Sequence, residues 1–260
     1  MTRSKIIFEL NQPGTWLETP DQRKAFNTGI VLEVMLTAFY ELNAALWNFE
    51  DAHDRSKLLS KLMEEEGYWV EKNKRIHEIE RELESQDGRT ADLYSQAHLL
   101  FKREQWAQGT LPRKLEAAFL QLQAHSFLHA LAQLGQLMAT MGEDETAPPA
   151  VRELAQRFEL EFPQVNHIRQ AAEPVRNSAR RNASHRSLTR RRPIRAACSV
   201  PPLASVTMSG LYGQTLTHAA TDGHTISLDI TSDTVKAVQG LIQALLDAFP
   251  WKGPHIHHPT

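Results

Sequence analysis

Reactive side chains concentrate between Phe162 and Arg195, where FPQVNHIRQAAEP gives way to VRNSARRNASHRSLTRRRPIR. Residues 174–205 hold eight arginines, among them Arg180, together with His185, and no Asp, Glu or Lys. The rest of the chain sets 21 basic residues against 31 acidic ones, a net −10. A general nucleic-acid surface spreads its basic face over the fold, so RNA or another polyanion would be met only at this Arg-rich segment. His125 and His129 stand at i and i+4, the spacing of two metal ligands on one helix face. No adjacent Glu makes a zincin motif of them, and the sequence places no third ligand, so they read as ordinary packed or solvated imidazoles. Glu64, Glu65 and Glu66 would point in different directions around a helix, which suits a solvated face better than a cation site. His255, His257 and His258 fall in a tail expected to fray. The sequence therefore assigns no metal and no cofactor. The single cysteine, Cys198, excludes a disulfide framework and a cysteine-built zinc site, and suits a free thiol in a reducing compartment.

These groups need a scaffold, and the composition supplies one. At 260 residues, 41% hydrophobic and 23% charged, the chain is an ordinary globular sequence long enough to bury a sizeable core. Its N-terminal apolar run, Ile6-Ile7-Phe8, is broken by Glu9, so it is no secretory signal, and no uninterrupted apolar stretch reaches the ~18 residues of a membrane span. A cytoplasmic protein with no membrane partner is expected.

Periodicity predicts a succession of helices. Residues 1–20 read as an arm, with a short strand in Lys5–Leu10 and Trp16 and Leu17 packing onto the body. From Arg23 to about His53, Phe26, Ile30, Val31, Val34, Met35, Phe39, Leu42, Leu46 and Phe49 recur every three or four residues, and a charged helical piece continues to Gly67. Further helices are expected over 68–83, 89–108 and 113–141, the last apolar over much of its circumference and hence central. Pro148-Pro149 opens another, over 150–162, carrying Val151, Leu154, Ala155, Phe158 and Leu160; a short apolar stripe follows to Ala172. Two β-prone runs, Leu211–Ala219 and His224–Ile230, flank an Asp222-Gly223 turn, and Thr231-Ser232-Asp233 caps a last helix to Phe249.

The fold class so predicted is mainly α, an antiparallel helical bundle with a small β-hairpin before the C-terminal helix. The divisions are an arm (1–20), a bundle (21–173), an Arg-rich, apolar-poor connector expected to be disordered (174–205), and the hairpin with its helix packing on the bundle (206–260).

The string Phe162-Pro163-Gln164-Val165-Asn166-His167-Ile168-Arg169-Gln170-Ala171-Ala172 resembles the third-helix neighbourhood of HEPN proteins (higher eukaryotes and prokaryotes nucleotide-binding). The helix pattern from Arg23 to Ala172 is similar to that superfamily's bundle. The resemblance implies an Arg-x4–6-His pair on one helix, which ribonuclease members use without a metal, often as dimers, to cleave RNA through its own 2′-hydroxyl. One turn brings guanidinium and imidazole to the same face, where Arg holds phosphate and His moves a proton. Here Pro174 and Val175 occupy the first positions at which Arg169 would find its histidine. Arg180-Arg181-Asn182-Ala183-Ser184-His185 restores the spacing as a string. The Arg, Ser, Pro and Ala content of 174–205 is also what GC-rich codons yield out of frame. Resequencing that finds no compensating insertion and deletion against close relatives would remove this explanation.

Two functions follow as expectations. The first is a helical protein acting by association, as a homodimer or with another chain, without catalysis of its own. The alternative is a metal-independent endoribonuclease or nucleotide-binding HEPN protein of a defence or toxin–antitoxin system, with Arg169, Arg180 and His185 at its site.

Overall fold

The structure, a computed structural model, describes residues 5–87, 92–145, 147–163, 165, 209–219 and 225–259. Its helices are α1 (Gln22–Glu64), α2 (Glu66–Asp87), α3 (Leu93–Ala107), α4 (Arg113–Glu143), α5 (Pro149–Glu161) and α6 (Ser232–Asp247). The strands are all short: β1 (Leu10–Gln12), β2 (Trp16–Leu17), β3 (Ser209–Tyr212), β4 (Thr215–Ala219), β5 (Thr225–Asp229), β6 (Trp251–Lys252) and β7 (Ile256–His258). The chain is mainly α, with a small antiparallel sheet before the last helix. Two compact units divide it, Met1–Trp47 with Ala124–Thr260, and Asn48–Gln123; α1 and α4 run from one into the other.

In the first unit α1 buries Leu32, Met35, Leu36, Phe39, Leu42 and Leu46, a stripe repeating every three or four residues. Phe26, Ile30 and Val34, expected on this face, are exposed; they recur four apart along a neighbouring stripe that nothing described in the chain covers. Helix α4 buries Phe127, Leu131, Leu134 and Met138, and two of its glycines let α5 approach closely. A Cβ at Gly135 would stand 2.6 Å from a ring carbon of Phe158, and one at Gly142 would stand 2.9 Å from the Ala155 Cβ. Helix α5 begins at Pro149 as its proline signal predicts, and buries Val151, Ala155 and Phe158. Leu160, expected inside, is 83% exposed, because two residues beyond Phe158 is about 200° around a helix.

Helix α6 starts where its cap predicts. The Thr231 hydroxyl accepts from the Thr234 amide at 3.4 Å, and Val235, Val238, Leu241, Ile242, Leu245 and Leu246 are buried. It packs against α5 and β1. Ahead of it lies a three-stranded sheet, β3-β4-β5, rather than a two-stranded hairpin. The predicted single strand Leu211–Ala219 is broken by a two-residue turn, Gly213-Gln214, between the paired residues Tyr212 and Thr215. Gly213 has φ +63°, the positive value that a type II′ turn needs at its first central position. The Asp222-Gly223 turn lies outside the described residues, although β4 and β5 pair from Thr215↔Asp229 to Ala219↔Thr225.

The tail, expected to fray, is instead ordered against the arm. Strand β7 pairs with β1 (Leu10↔His258, Gln12↔Ile256) and β6 with β2 (Leu17↔Trp251). His258 Nε2 lies 3.2 Å from Gln12 Oε1. Side chains of α1 and α6 clasp the arm's backbone. Trp47 Nε1 donates to the Ile6 carbonyl at 2.8 Å, Gln239 Nε2 donates to the Glu9 carbonyl, and Gln243 both accepts from the Asn11 amide (2.8 Å) and donates to its carbonyl (2.7 Å). Phe8 and Leu10 are buried beneath these bonds, whereas Trp16, expected to pack, is 58% exposed. Trp251 folds back onto α6, its Nε1 donating to the Leu246 carbonyl at 2.7 Å.

The second unit contains the end of α1, helices α2 and α3, and the start of α4. The α1–α2 break falls at Glu65 rather than after Gly67: the Glu65 amide bonds back to the Leu62 carbonyl and the Tyr68 amide to the Glu65 carbonyl. Helices α2 and α3 share a small core of Ile76, Ile79, Ala97 and Phe101, flanked by Leu83 and Leu100. Among the described residues one helix, α1, has an 18-residue window apolar enough to cross a membrane, with mean hydropathy 1.4; half of that window is buried inside the protein.

Candidate functional site

Arg169, Arg180 and His185 lie outside the described residues, as do Cys198 and the expected connector 174–205. The candidate sites elsewhere in the sequence are placed as follows. His125 and His129 sit on the solvent side of α4, both exposed. Glu64, Glu65 and Glu66 span the α1–α2 break. Among the described residues, no three His, Cys, Asp or Glu side chains come together as a metal site.

The first unit contains a cleft of about 480 Å³. The arm contributes Leu17, Glu18 and Thr19; the first turns of α1 contribute Lys24, Asn27, Thr28 and Val31. The end of α4 and the turn into α5 add Thr140, Met141, Asp144, Pro148 and Pro149, and the end of α6 adds Phe249 and Pro250. The start of α1 is fixed locally: Asp21 Oδ1 accepts from the Lys24 amide at 3.1 Å, and Thr19 Oγ1 accepts from the Asp21 amide at 3.3 Å. The β2–β6 ribbon sets the arm beside the end of α6, with the Glu18 amide donating to the Pro250 carbonyl at 2.8 Å. The Glu18 carboxylate is held 2.8 Å from Lys252 Nζ. Thr140 Oγ1 donates to the Gln136 carbonyl at 2.9 Å, leaving its lone pairs as acceptors.

Two buried polar groups of α1 lie elsewhere in the same unit. Asn43 Nδ2 donates to the Phe39 carbonyl at 2.7 Å, while its Oδ1 and the Tyr40 hydroxyl have no hydrogen-bond partner among the described residues. Burial, and then the charge of Glu9, push the Tyr40 phenol up to about 12, so it stays protonated throughout the physiological range.

The second unit presents a different surface. Arg75 on α2 grips Glu104 on α3 through two bonds of 2.7 and 3.1 Å, and also reaches Glu78 at 3.2 Å and Glu82 at 3.4 Å. The Arg75 hydrogen bond holds the Glu104 carboxyl below the usual carboxylate range, and those to Glu104 and Glu78 raise the guanidinium further above its already high value. This fork ties the two helices together at the surface. His53 is buried and stacked on Phe49 with ring centroids 5.8 Å apart; burial, and then Lys57, lower its pKa.

On α4 in this unit, Leu115, Ala118, Phe119 and Leu122 fall at i, i+3, i+4 and i+7, the spacing of a buried seam, yet all four are exposed. Leu115 is 45%, Phe119 39% and Leu122 57% accessible. Leu58, Trp69, Tyr94 and Trp106 on the other helices of the unit are exposed as well. The sequence pattern suggests that the whole of α4 is central. Its second half is, but its first half carries a seam whose side chains are left exposed among the described residues. The break between exposed and buried stretches follows the unit boundary near Ala124, which no local signal marks. Nor did the sequence reveal the cleft, since its lining comes from five separate segments whose residues are individually unremarkable.

No protein-family model, no curated protein and no solved structure matches this chain.

Proposed function

We propose that the protein acts by association, pairing with a second copy of itself through the apolar seam of α4, and carries out no catalysis of its own. The observation that carries this reading is the stripe Leu115, Ala118, Phe119 and Leu122, which has helix-packing spacing and is left exposed. A seam of this kind is self-complementary, because it holds no charge to repel its own copy across a two-fold axis. A stable interface buries ~800 Å² per partner, and the exposed aromatic and aliphatic side chains elsewhere on the unit are of the type that supplies the remainder. Covering the exposed part of a half-buried Leu or Phe contributes about 1 kcal/mol each.

Sedimentation velocity over a concentration series tests the reading. The protein should sediment at twice its 29.5 kDa mass, and Phe119→Glu should return it to the monomer with unchanged helicity. A monomer at every concentration, or a dimer indifferent to both Phe119→Glu and Leu122→Glu, would overturn it. His185→Ala should alter neither folding nor self-association; a cellular effect lost in that variant, with the fold retained, would favour the ribonuclease reading instead.

A further inference from the structure

We infer that the cleft of the first unit is a binding site for a small molecule with a carboxylate at one end and an apolar body. Independently of any self-association, three observations converge on this. The volume, about 480 Å³, lies within the ~300–1,000 Å³ of ligand clefts. Its polar side combines Glu18, Thr19, Thr140 and Asp144 with one face of α1. Lys24, Asn27 and Thr28 fall at i, i+3 and i+4, and among the described residues Lys24 has no ion-pair partner while the Asn27 and Thr28 side chains have no hydrogen-bond partner. The apolar lining, Val31, Met141, Pro148, Pro149, Phe249 and Pro250, offers hydrocarbon surface without donors.

The placement of charge decides what the polar face receives. Glu18 lines the cleft but is engaged by Lys252, and Asp144 lines it from the end of α4 with an interaction of its own. Lys24 is the cation of the lining that remains to be answered, and the adjacent amide and hydroxyl donate to the second oxygen of a carboxylate as readily as water does. A wholly apolar ligand would gain nothing from Lys24, Asn27 and Thr28, which keep water as their partner, and a cationic one would meet Lys24 as a like charge.

Isothermal titration of the full chain with octanoate, octanol and octylamine tests the site. These probes share a hydrocarbon body and differ in the head group. Octanoate should bind about 5-fold more tightly than octanol, the ratio given by an exposed ion pair of about 1 kcal/mol, and octylamine should bind most weakly. Lys24→Gln, at an exposed position, should leave the helical spectrum intact and reduce octanoate to the affinity of octanol. Thr28→Met, which extends hydrocarbon into the cleft, should weaken octanoate and octanol together. Equal affinity for octanoate and octanol, an octanoate affinity indifferent to Lys24→Gln, preference for octylamine, or no binding of any probe up to about 10 mM would each overturn the assignment.

Discussion

Replacing glycine by alanine inside a helix should have opposite effects at two positions of this fold. In an open helical site the change stabilises by about 1 kcal/mol, because alanine has less backbone freedom to lose. Gly240 on α6 is such a site: an added Cβ would meet nothing within 4 Å. At Gly135 on α4 the same atom would stand 2.6 Å from the Phe158 ring, about 1 Å inside an ordinary carbon contact. The ring cannot easily retreat, since Phe158 is 2% exposed and its centroid is 5.0 Å from that of Phe162. Overpacking of this size costs about 1–3 kcal/mol, which outweighs the propensity gain. Gly135→Ala should therefore lower stability by about 1 kcal/mol while Gly240→Ala raises it by about as much. For a chain of this size the two melting temperatures should then differ by about 4–8 °C. Thermal melts followed by far-UV circular dichroism measure the difference. A double variant, Gly135→Ala with Phe158→Leu, should lose less than the two single changes together, because the smaller side chain makes room for the methyl group. If Gly135→Ala raises the melting temperature as much as Gly240→Ala does, the close approach of α4 and α5 is not as described.

Two other perturbations address separate parts of the molecule. Gln243→Ala removes both bonds to the Asn11 backbone, each worth about 1 kcal/mol, so hydrogen exchange at the Asn11 amide should quicken by roughly 5- to 30-fold while α6 amides keep their protection; unchanged exchange at Asn11 would show that the clasp contributes nothing. His53 should make stability depend on pH: its folded pKa lies below the ordinary 6.5, so the unfolded chain takes up the proton first, and stability falls from pH about 6.5 down to the folded value and then levels, at about 1.4 kcal/mol per unit of depression. Urea titrations across that range should show the slope in the wild type and not in His53→Gln; an identical slope in both would place its origin elsewhere.

What the sequence reveals of this fold follows from how local each signal is. The six buried positions of α6 and its Thr231 cap are readable because cap, periodicity and terminating Pro250 all lie within twenty residues. The exposed Phe26, Ile30 and Val34 and the bare seam of α4 are not, since periodicity shows that a face is apolar but not what covers it. Gly213-Gln214 is hard to read as a turn because its only mark is one glycine, where Asn-Gly or Asp-Gly would announce it. The pairing of the tail rests on partners more than two hundred residues away and on strands of two or three residues, too short to alternate. Of the cleft, only the capped start of α1 had a local signature.

The two ribbons also constrain the order in which the molecule can assemble. Bringing Asn11 to His257 from an open chain closes a loop whose entropy costs about 5 kcal/mol, more than a handful of strand bonds return. The ribbons become favourable only after α6 has docked on α5 and shortened that loop. Strands β1 and β2 must therefore wait for β7 and β6, whereas Ile6 finds its partner, Trp47 of α1, only 41 residues on. The arm's two strands are thus the last elements of the fold to find their partners.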